Sequence, residues 1–324
     1  MAFTKLDDAL VQILCCPICK SRCDQQANAL VCPNCQSRYE PLAVSNGHDH
    51  ETVYDFRIHR PHYCRPVGTA RWTKIQGRYE AYHQKNVLRD DLAFYQEQIE
   101  SVRDLYTHQF HISGHVLDVG GHQGRLRHFL NERDVPLYVS TDPFPNAFDG
   151  LCDQPNLLAA YPCLTQPCNF VAAHAESLPF VHGVFDWVHM RSVLDHFEDP
   201  FVALKEAHRV LRPGGRCLIG LTVERTQDET NHNPVVSSAT ATRPHRSPTA
   251  PALLRAVARR LRRPVQVHSR HQDEHMTIWR YKDVINVLQQ CRFTVLKEYW
   301  QRPTVIYVMA AKEPCSIESS APQN

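Results

Sequence analysis

The stretch VLDVGGHQGRL at residues 116–126 decides how the fold of this chain is interpreted. Apolar residues lead into Asp118, and the glycines at positions 120, 121 and 124 follow, with His122 among them. Glycines directly after a buried strand predict a tight turn, which either only joins the strand to a helix or lets a ligand lie against bare backbone. We expect the helix to begin at Arg125.

Short apolar runs alternate with helical or loop stretches on both sides of this turn, which is typical of a parallel sheet covered by helices on both faces. The predicted strands are 115–119, 137–141, 168–173, 185–190 and 216–223. Two further runs, 293–301 and 304–312, are separated only by Arg302 and Pro303. This gap is too short for a crossover helix, so it predicts an antiparallel hairpin at the end of the sheet.

The composition excludes a wholly disordered chain, because 43% of the 324 residues are hydrophobic and only 22% are charged. A formal net charge of +2 argues that any contact with nucleic acid or membrane is local. The first residues carry acids rather than the basic residues of a signal peptide, and no apolar run approaches the length of a membrane span. We therefore expect a cytoplasmic protein.

The cysteines cluster near the N-terminus. Two C-x-x-C pairs, Cys16 with Cys19 and Cys32 with Cys35, can place four thiolates around one zinc ion at about 2.3 Å. Four cysteines leave no open coordination position, so the spacing predicts a structural Zn²⁺ that supplies most of the folding free energy of a small unit. The alternative is free buried thiols in an irregular loop. The segment resembles the zinc ribbon of the small activator subunit of tRNA and translation-factor methyltransferases.

These patterns divide the chain into four predicted parts. They are a zinc ribbon at 1–45, a linker at 46–78 rich in histidine and proline, a main domain at 79–312 that begins with amphipathic helix, and a disordered tail at 313–324. Within the main domain, residues 224–274 form an insertion. Its arginine-rich part, around 253–263, predicts a short amphipathic helix, which either is simply solvated or contacts phosphate, RNA or an anionic lipid surface.

The acidic end of the second strand is the next marker. YVSTD ends in Asp142, where a carboxylate can accept both hydroxyls of a ribose. With VLDVGGHQG, AHAESLPF, FDWVHMRSVLDHFEDP and ALKEAHRVLRPGGRCLI, the chain resembles class I S-adenosylmethionine-dependent methyltransferases, in particular the branch that includes the ubiquinone and menaquinone biosynthesis enzymes. The resemblance implies a Rossmann-like α/β sheet of seven strands ending in the antiparallel hairpin, beside the zinc ribbon.

The resemblance also implies a cofactor, S-adenosyl-L-methionine, and residues that hold it. Asp118 would orient the amino group of the cofactor, and the three glycines of the turn would lie against its methionine part. Asp142 would hold its ribose. The loop at His174 and Ala175 would border the adenine. The implied cofactor-binding set is Asp118, Gly120, Gly121, His122, Gly124, Asp142, His174, Ala175, Met190 and Arg191.

The acceptor is left open by the sequence. Position 275 matches a histidine of some relatives, so His275 is the first hypothesis for a general base and His196 the second; capping or surface roles remain alternatives. A small-molecule, sugar or lipid-linked acceptor is favoured slightly over RNA, because basic patches interleaved with aromatic residues are lacking. A third interpretation is a non-catalytic domain whose ribbon binds a partner.

Overall fold

The computed structural model describes residues 3–26, 29–45, 50–57, 72–75, 77–78, 81, 90–144, 146–224 and 276–314. His275, most of the predicted insertion with its arginine-rich helix, and the predicted tail beyond residue 314 lie outside these ranges. No helix within the described residues is long and apolar enough to cross a membrane.

The N-terminal part of the chain contains short strands and one helical turn. They are β1 (Thr4–Lys5), α1 (Asp8–Val11), β2 (Asp24–Gln26), β3 (Ala29–Val31), β4 (Arg38–Tyr39), β5 (Pro41–Ser45) and β6 (His50–Asp55). Strands β2, β3 and β4 form a separate three-stranded antiparallel sheet. The other three strands join the main sheet, so the predicted ribbon at 1–45 contributes to both sheets.

Within residues 90–144, 146–224 and 276–314, the chain supplies seven strands of the main sheet and four α-helices. The strands are β7 (His115–Val119), β8 (Leu137–Asp142), β9 (Cys168–Ala172), β10 (Phe185–Arg191), β11 (Leu211–Thr222), β12 (Phe293–Arg302) and β13 (Val305–Lys312). The helices are α2 (Leu92–Asp104), α3 (Pro155–Ala160), α4 (Pro200–Val210) and α5 (Tyr281–Gln290).

These seven strands follow the order β12-β13-β11-β10-β7-β8-β9. Strands β7 to β11 pair in parallel, and β13 is antiparallel to both β11 and β12. This confirms a mixed α/β fold with a parallel-rich sheet. The order reverses between β7 and β10, so the carboxyl ends of these neighbouring strands border a crevice where ligands bind in open α/β sheets.

Over the residues that the structure describes, the sheet has ten strands, where seven were predicted. Strand β6 pairs in parallel with β9 through Tyr54 and Val171, β5 pairs with β6, and β1 pairs with β9 through Thr4 and Cys168. The predicted linker at 46–78 therefore contains a strand. Its apolar residues Val53 and Phe56 are fully buried, and burying them stabilises the pairing.

The helix predicted to begin at Arg125 is a short 3₁₀-helix, Arg125–Phe129. Gly124 precedes it in the left-handed conformation and offers no side-chain cap. Leu130 ends the helix in an extended conformation, and a turn follows in which Asn131 Nδ2 donates to Asp134 Oδ2 at 3.0 Å.

The amphipathic helix α2 has a capped start. The Asp91 carboxylate accepts from the backbone N–H groups of Ala93 and Phe94, which satisfies two of the free donors at the helix start. The helix buries Tyr95, Ile99 and Val102, residues that belong to the core on one side of the sheet. A π-helical turn, Leu105–Gln109, follows directly and leads into the approach to β7.

The cysteine-rich segment is part of the core on the opposite side. Leu10, Leu14 and Leu30 belong to the same buried cluster as Leu117 of β7. The backbone N–H of Cys15 donates to Pro179 O at 2.8 Å, and the N–H of Val181 donates to Ile13 O at 2.9 Å. These contacts dock the segment on the residues that lead from β9 to β10.

Candidate functional site

A cavity of about 270 Å³ lies beyond the carboxyl ends of the central strands. Its size is close to the lower end of the range for small-molecule sites. Its wall combines the glycine turn, the end of β8, the loop after β9 and the loop after β10. The lining residues are Trp72, Val119, Gly120, His122, Gln123, Arg125, Thr141, Asp142, Pro143, Phe144, Asn146, Ala147, Asp149, Ala173, His174, Ala175, Glu176, Val193, His196 and Phe197.

The glycine turn forms one wall of this cavity. Gly120 has φ +68°, and a Cβ there would lie 2.4 Å from Val193 Cγ1, so both the backbone and the packing require glycine. His122 also adopts a positive φ of 48°, which is uncommon for a residue with a side chain. Its carbonyl accepts from Ser140 Oγ at 2.8 Å, which ties the turn to β8.

Asp142 ends β8 at the cavity wall and is 5% exposed. One carboxylate oxygen accepts from the N–H of Phe144 at 3.0 Å, and the other accepts from the N–H of His122 at 3.3 Å. Burial raises the pKa of Asp142 to about 7, although the two backbone hydrogen bonds oppose the rise. The carboxylate can accept further hydrogen bonds from a ligand, because each oxygen has two lone pairs.

Asp118 lies beneath the turn rather than in the cavity wall. One of its oxygens is 2.7 Å from His189 Nδ1, and the other accepts from Tyr138 OH at 2.5 Å. The second ring nitrogen of His189 is 2.8 Å from Tyr106 OH, and all four side chains are buried. A Cβ at Gly121 would approach the Asp118 carboxyl to 2.6 Å. Asp118 therefore packs against Gly121 of the turn and belongs to a buried polar network.

The ten predicted cofactor residues divide into two groups. Those in the cavity wall are Gly120, His122, Asp142, His174 and Ala175. Those outside it are Asp118, Gly121, Gly124, Met190 and Arg191. Met190 is fully buried in the core, and Arg191 is exposed at the end of β10.

Trp72 is a wall residue that the sequence did not single out. Its ring contacts His174 edge-on at a centroid distance of 5.1 Å, and its Nε1 donates to His196 O at 3.1 Å. It comes from the stretch predicted as linker, where no periodicity marks any residue. Phe144, Glu176 and Phe197 were missed as well, because only the fold brings their loops together.

Of the two predicted general bases, the structure describes only His196. His196 lines the cavity, and its Nε2 is 3.9 Å from Asp195 Oδ1, too far for a hydrogen bond. His275 lies outside the described residues. Met276 and Thr277 donate their backbone N–H groups to Asp195 O at 2.8 and 3.2 Å. The segment that follows position 275 is therefore held against the loop that carries His196.

The four predicted metal-binding cysteines form a cluster. Their sulfur atoms all lie within 4.8 Å of one another. The distances are 3.5 Å from Cys16 to Cys35, 3.3 Å from Cys19 to Cys32 and 3.7 Å from Cys19 to Cys35. A tetrahedral zinc site with bonds of 2.3 Å has sulfur atoms about 3.8 Å apart. The donor set and its spacing fit zinc.

The two halves of the cluster repeat each other. Each has the sequence C-P-x-C-x-S, at residues 16–21 and 32–37. In each, the first cysteine donates its N–H to the serine carbonyl at 2.8 Å and accepts at its own carbonyl from the fifth residue at 2.9 Å. That fifth residue, Lys20 or Gln36, has φ of 63° or 59°. The longer pattern that includes the serine therefore predicts the shape of each half, which the C-x-x-C spacing alone does not.

The comparison with protein families finds a match at residues 117–219, to the family described as a methyltransferase domain. The match covers strands that border the cavity and agrees with the methyltransferase resemblance of the sequence. A ubiquinone/menaquinone biosynthesis C-methyltransferase of Hahella chejuensis is 44% identical over 70 residues, 22% of this chain and 26% of that protein. An uncharacterized methyltransferase of Mycobacterium sp. strain KMS is 32% identical over 108 residues, 33% of this chain and 38% of that protein. The chain thus spans less than two fifths of each relative's length.

Two solved structures found by the comparison have low sequence identity to this chain. One is the 1,6-didemethyltoxoflavin-N1-methyltransferase of Burkholderia thailandensis with bound 1,6-didemethyltoxoflavin and S-adenosylhomocysteine, at 15% identity and a TM-score of 0.45, covering 87% of this chain and 97% of that one. Another is the PH0226 protein of Pyrococcus horikoshii, at 18% identity and a TM-score of 0.45, covering 68% of this chain and 91% of that one.

Proposed function

We propose that this chain is an S-adenosylmethionine-dependent methyltransferase that acts on a small-molecule, sugar or lipid-linked acceptor. The observation that carries the proposal is the cavity at the carboxyl ends of β7 and β8, where the glycine turn and the Asp142 carboxylate share one wall. The methyltransferase-domain match covers the strands that build this wall.

The wall residues fit the parts of the cofactor. Bare backbone at Gly120 offers close approach to the methionine part, and Asp142 offers acceptors for the ribose hydroxyls. Trp72, His174 and Ala175 form the side where the adenine would lie. The bound cofactor supplies an activated sulfonium methyl group. The task of this chain is to hold an acceptor atom in line with that methyl group and to exclude water.

A small acceptor is favoured over RNA. The named curated relative is an enzyme of quinone biosynthesis, and the cavity wall carries Asp142, Asp149 and Glu176, which do not suit a polyanion. A base is needed only for an acceptor that must lose a proton. His196 is the described wall residue best placed for that role, and His275 remains the other hypothesis.

The cysteine cluster would hold one structural Zn²⁺ through Cys16, Cys19, Cys32 and Cys35. With four thiolate ligands the ion has no open position for substrate or water, so it contributes stability. Lys20 extends from the first half of the cluster and pairs with Glu206 of α4 at 2.7 Å. Metal binding would therefore brace the helix that follows the loop of His196.

The test is methyl transfer from labelled S-adenosylmethionine to fractionated cell extract by the zinc-loaded protein. We expect the label in a low-molecular-mass or lipid fraction, and Asp142→Asn should reduce transfer. Label in the RNA fraction that ribonuclease treatment converts into small soluble fragments would favour the RNA alternative. Absence of transfer to every fraction, together with absence of cofactor binding, would reject the proposal and favour a non-catalytic domain.

A further inference from the structure

The carboxyl end of β10 carries an arginine that faces tyrosines. Arg191 is exposed, and its Nε donates to Tyr307 OH at 3.1 Å. Among the described residues, no carboxylate lies within ion-pair distance of its guanidinium. The bond at Nε leaves the two terminal amino groups available, which are the groups that grip a carboxylate or phosphate in a bidentate manner.

Strand pairing in the sheet positions the tyrosine that orients Arg191. Arg191 pairs with Gly220 of β11, and Gly220 pairs with Tyr307 of β13. A Cβ at Gly220 would lie 2.3 Å from the Tyr307 ring, so glycine is required for the ring to cross the strand. Tyr307 is 2% exposed. The position of its hydroxyl, and hence of the guanidinium, is fixed by packing.

A second arginine joins this edge to the cavity. Arg125 lines the cavity and stacks over the Tyr161 ring at 5.6 Å, and its Nε and one terminal nitrogen donate to Gln123 Oε1. Burial raises the pKa of Tyr161, and the charges of Arg125 and Arg191 both oppose that rise. Tyr161 thus lies near both cations, in ring contact with Arg125 and within reach of the charge of Arg191.

We propose that Arg191, Tyr307, Tyr161 and Arg125 bind an anionic group of the methyl acceptor, a carboxylate or a phosphate. This rests on the proposed function, because it names the class of acceptor that the cavity serves. An anion held beside β10 would place the rest of a small acceptor toward the cavity. Tyr307 acts here as a positioning residue, since it orients the guanidinium.

The experiment uses zinc-loaded protein saturated with S-adenosylhomocysteine and three probes of similar shape: benzoate, phenyl phosphate and the neutral benzyl alcohol. Saturation-transfer NMR would report binding of each probe. We expect at least one anion to bind and benzyl alcohol not to bind, and the stronger anion would distinguish a carboxylate from a phosphate source. Arg191→Gln should weaken binding of that anion about tenfold or more.

Two further variants complete the test. Tyr307→Phe should give a smaller loss, because the charge remains and only its orientation is relaxed. Arg216→Gln is the matched control, since Arg216 stacks on Trp187 four residues earlier along β10 and should leave anion binding unchanged. Equal binding of benzyl alcohol, binding of neither anion, or full anion binding by Arg191→Gln would overturn the inference. Calorimetry with S-adenosylhomocysteine on the same samples separates these outcomes from failure of the proposed function.

Discussion

The glycine turn after β7 and the two halves of the cysteine cluster both take the chain through left-handed backbone conformations, with different residues. We call these halves, residues 16–21 and 32–37, the knuckles. The turn uses Gly120 and Gly124, with φ of 68° and 77°, and has one non-glycine residue, His122 at 48°, whereas the knuckles use only Lys20 and Gln36 at 63° and 59°. A non-glycine residue in this region costs about 1–2 kcal/mol. Glycine avoids that cost and leaves bare backbone for a ligand, while the knuckles need a compensating interaction, which a metal ion would provide.

The first prediction is that the stability of the cysteine region depends on a bound metal ion. Cys19→Ser should lower the free energy of unfolding by about 3 kcal/mol or more, because one missing thiolate opens the tetrahedral site. The protein should also lose its one equivalent of zinc. Thermal unfolding and elemental analysis measure both effects. Cys23→Ser is the control, since Cys23 is also half-buried but lies outside the cluster. Unchanged zinc content in Cys19→Ser would contradict the assignment.

The second prediction concerns strain and space in the glycine turn. Gly120→Ala should lower the free energy of unfolding by about 2–4 kcal/mol, because the added Cβ meets Val193 and the backbone is left-handed. Gly150→Ala separates the two causes, since Gly150 has φ +66° and nothing within 4 Å of an added Cβ. It should cost only about 1 kcal/mol. Equal losses in urea unfolding would show that the contact with Val193 is unimportant.

The third prediction separates binding from stability in the same region. Asp142→Asn should weaken binding of S-adenosylhomocysteine about 10- to 100-fold, the range for hydrogen bonds to a charged group. Its free energy of unfolding at pH 8 should not fall, because the raised pKa makes ionisation of buried Asp142 unfavourable for folding above the unfolded pKa. Calorimetry and urea unfolding give the two quantities. Unchanged affinity would remove Asp142 from the binding site.

The same carboxyl predicts a pH dependence. The pKa of Asp142 is raised to about 7, and the ionised form accepts the ribose hydroxyls better. Affinity for S-adenosylhomocysteine should therefore rise as the pH increases through 7 and then level off. Below 7 it should fall by up to about tenfold per pH unit. The Asp142→Asn variant should lose this dependence. A dependence that persists in the variant would assign it to another group.

The smallest expected effect tests the strain in a knuckle. Gln36→Gly should raise the free energy of unfolding of the zinc-loaded protein by about 0.5–1 kcal/mol, because glycine removes the left-handed strain. The gain is reduced by loss of the exposed hydrogen bond from Gln36 Nε2 to Pro33 O. Urea unfolding measures the change. A destabilised variant would mean that this bond outweighs the strain.

Local pattern predicted much of the fold. The five parallel strands and the closing hairpin agree with their predicted bounds to within a few residues, because apolar runs between turns depend on neighbours along the chain. Strand β6 was missed, because it is short and pairs with β9, which is distant in the sequence. A helix does begin at Arg125 as predicted, but the sequence pattern did not indicate that it is a short 3₁₀-helix.

The residues of the candidate site also divide into those that the local sequence predicts and those that only the fold brings together. The positions of Gly120 and Asp142 at the cavity could be predicted because Gly120 directly follows β7 and Asp142 ends β8, and the carboxyl ends of parallel strands share one edge. The place of Asp118 could not, since its partners His189 and Tyr138 come from two other strands. Trp72 and the pairing of Arg191 with Tyr307 likewise arise only from the folded arrangement.

The central claim is that the glycine turn and Asp142 form one nucleoside site. Isothermal titration of zinc-loaded protein with S-adenosylhomocysteine at pH 8, repeated with Asp142→Asn, tests it most directly. We predict one molecule bound per chain and a loss of affinity of about 10- to 100-fold in the variant. No heat with the folded wild-type protein, or the same affinity in both proteins, would contradict it.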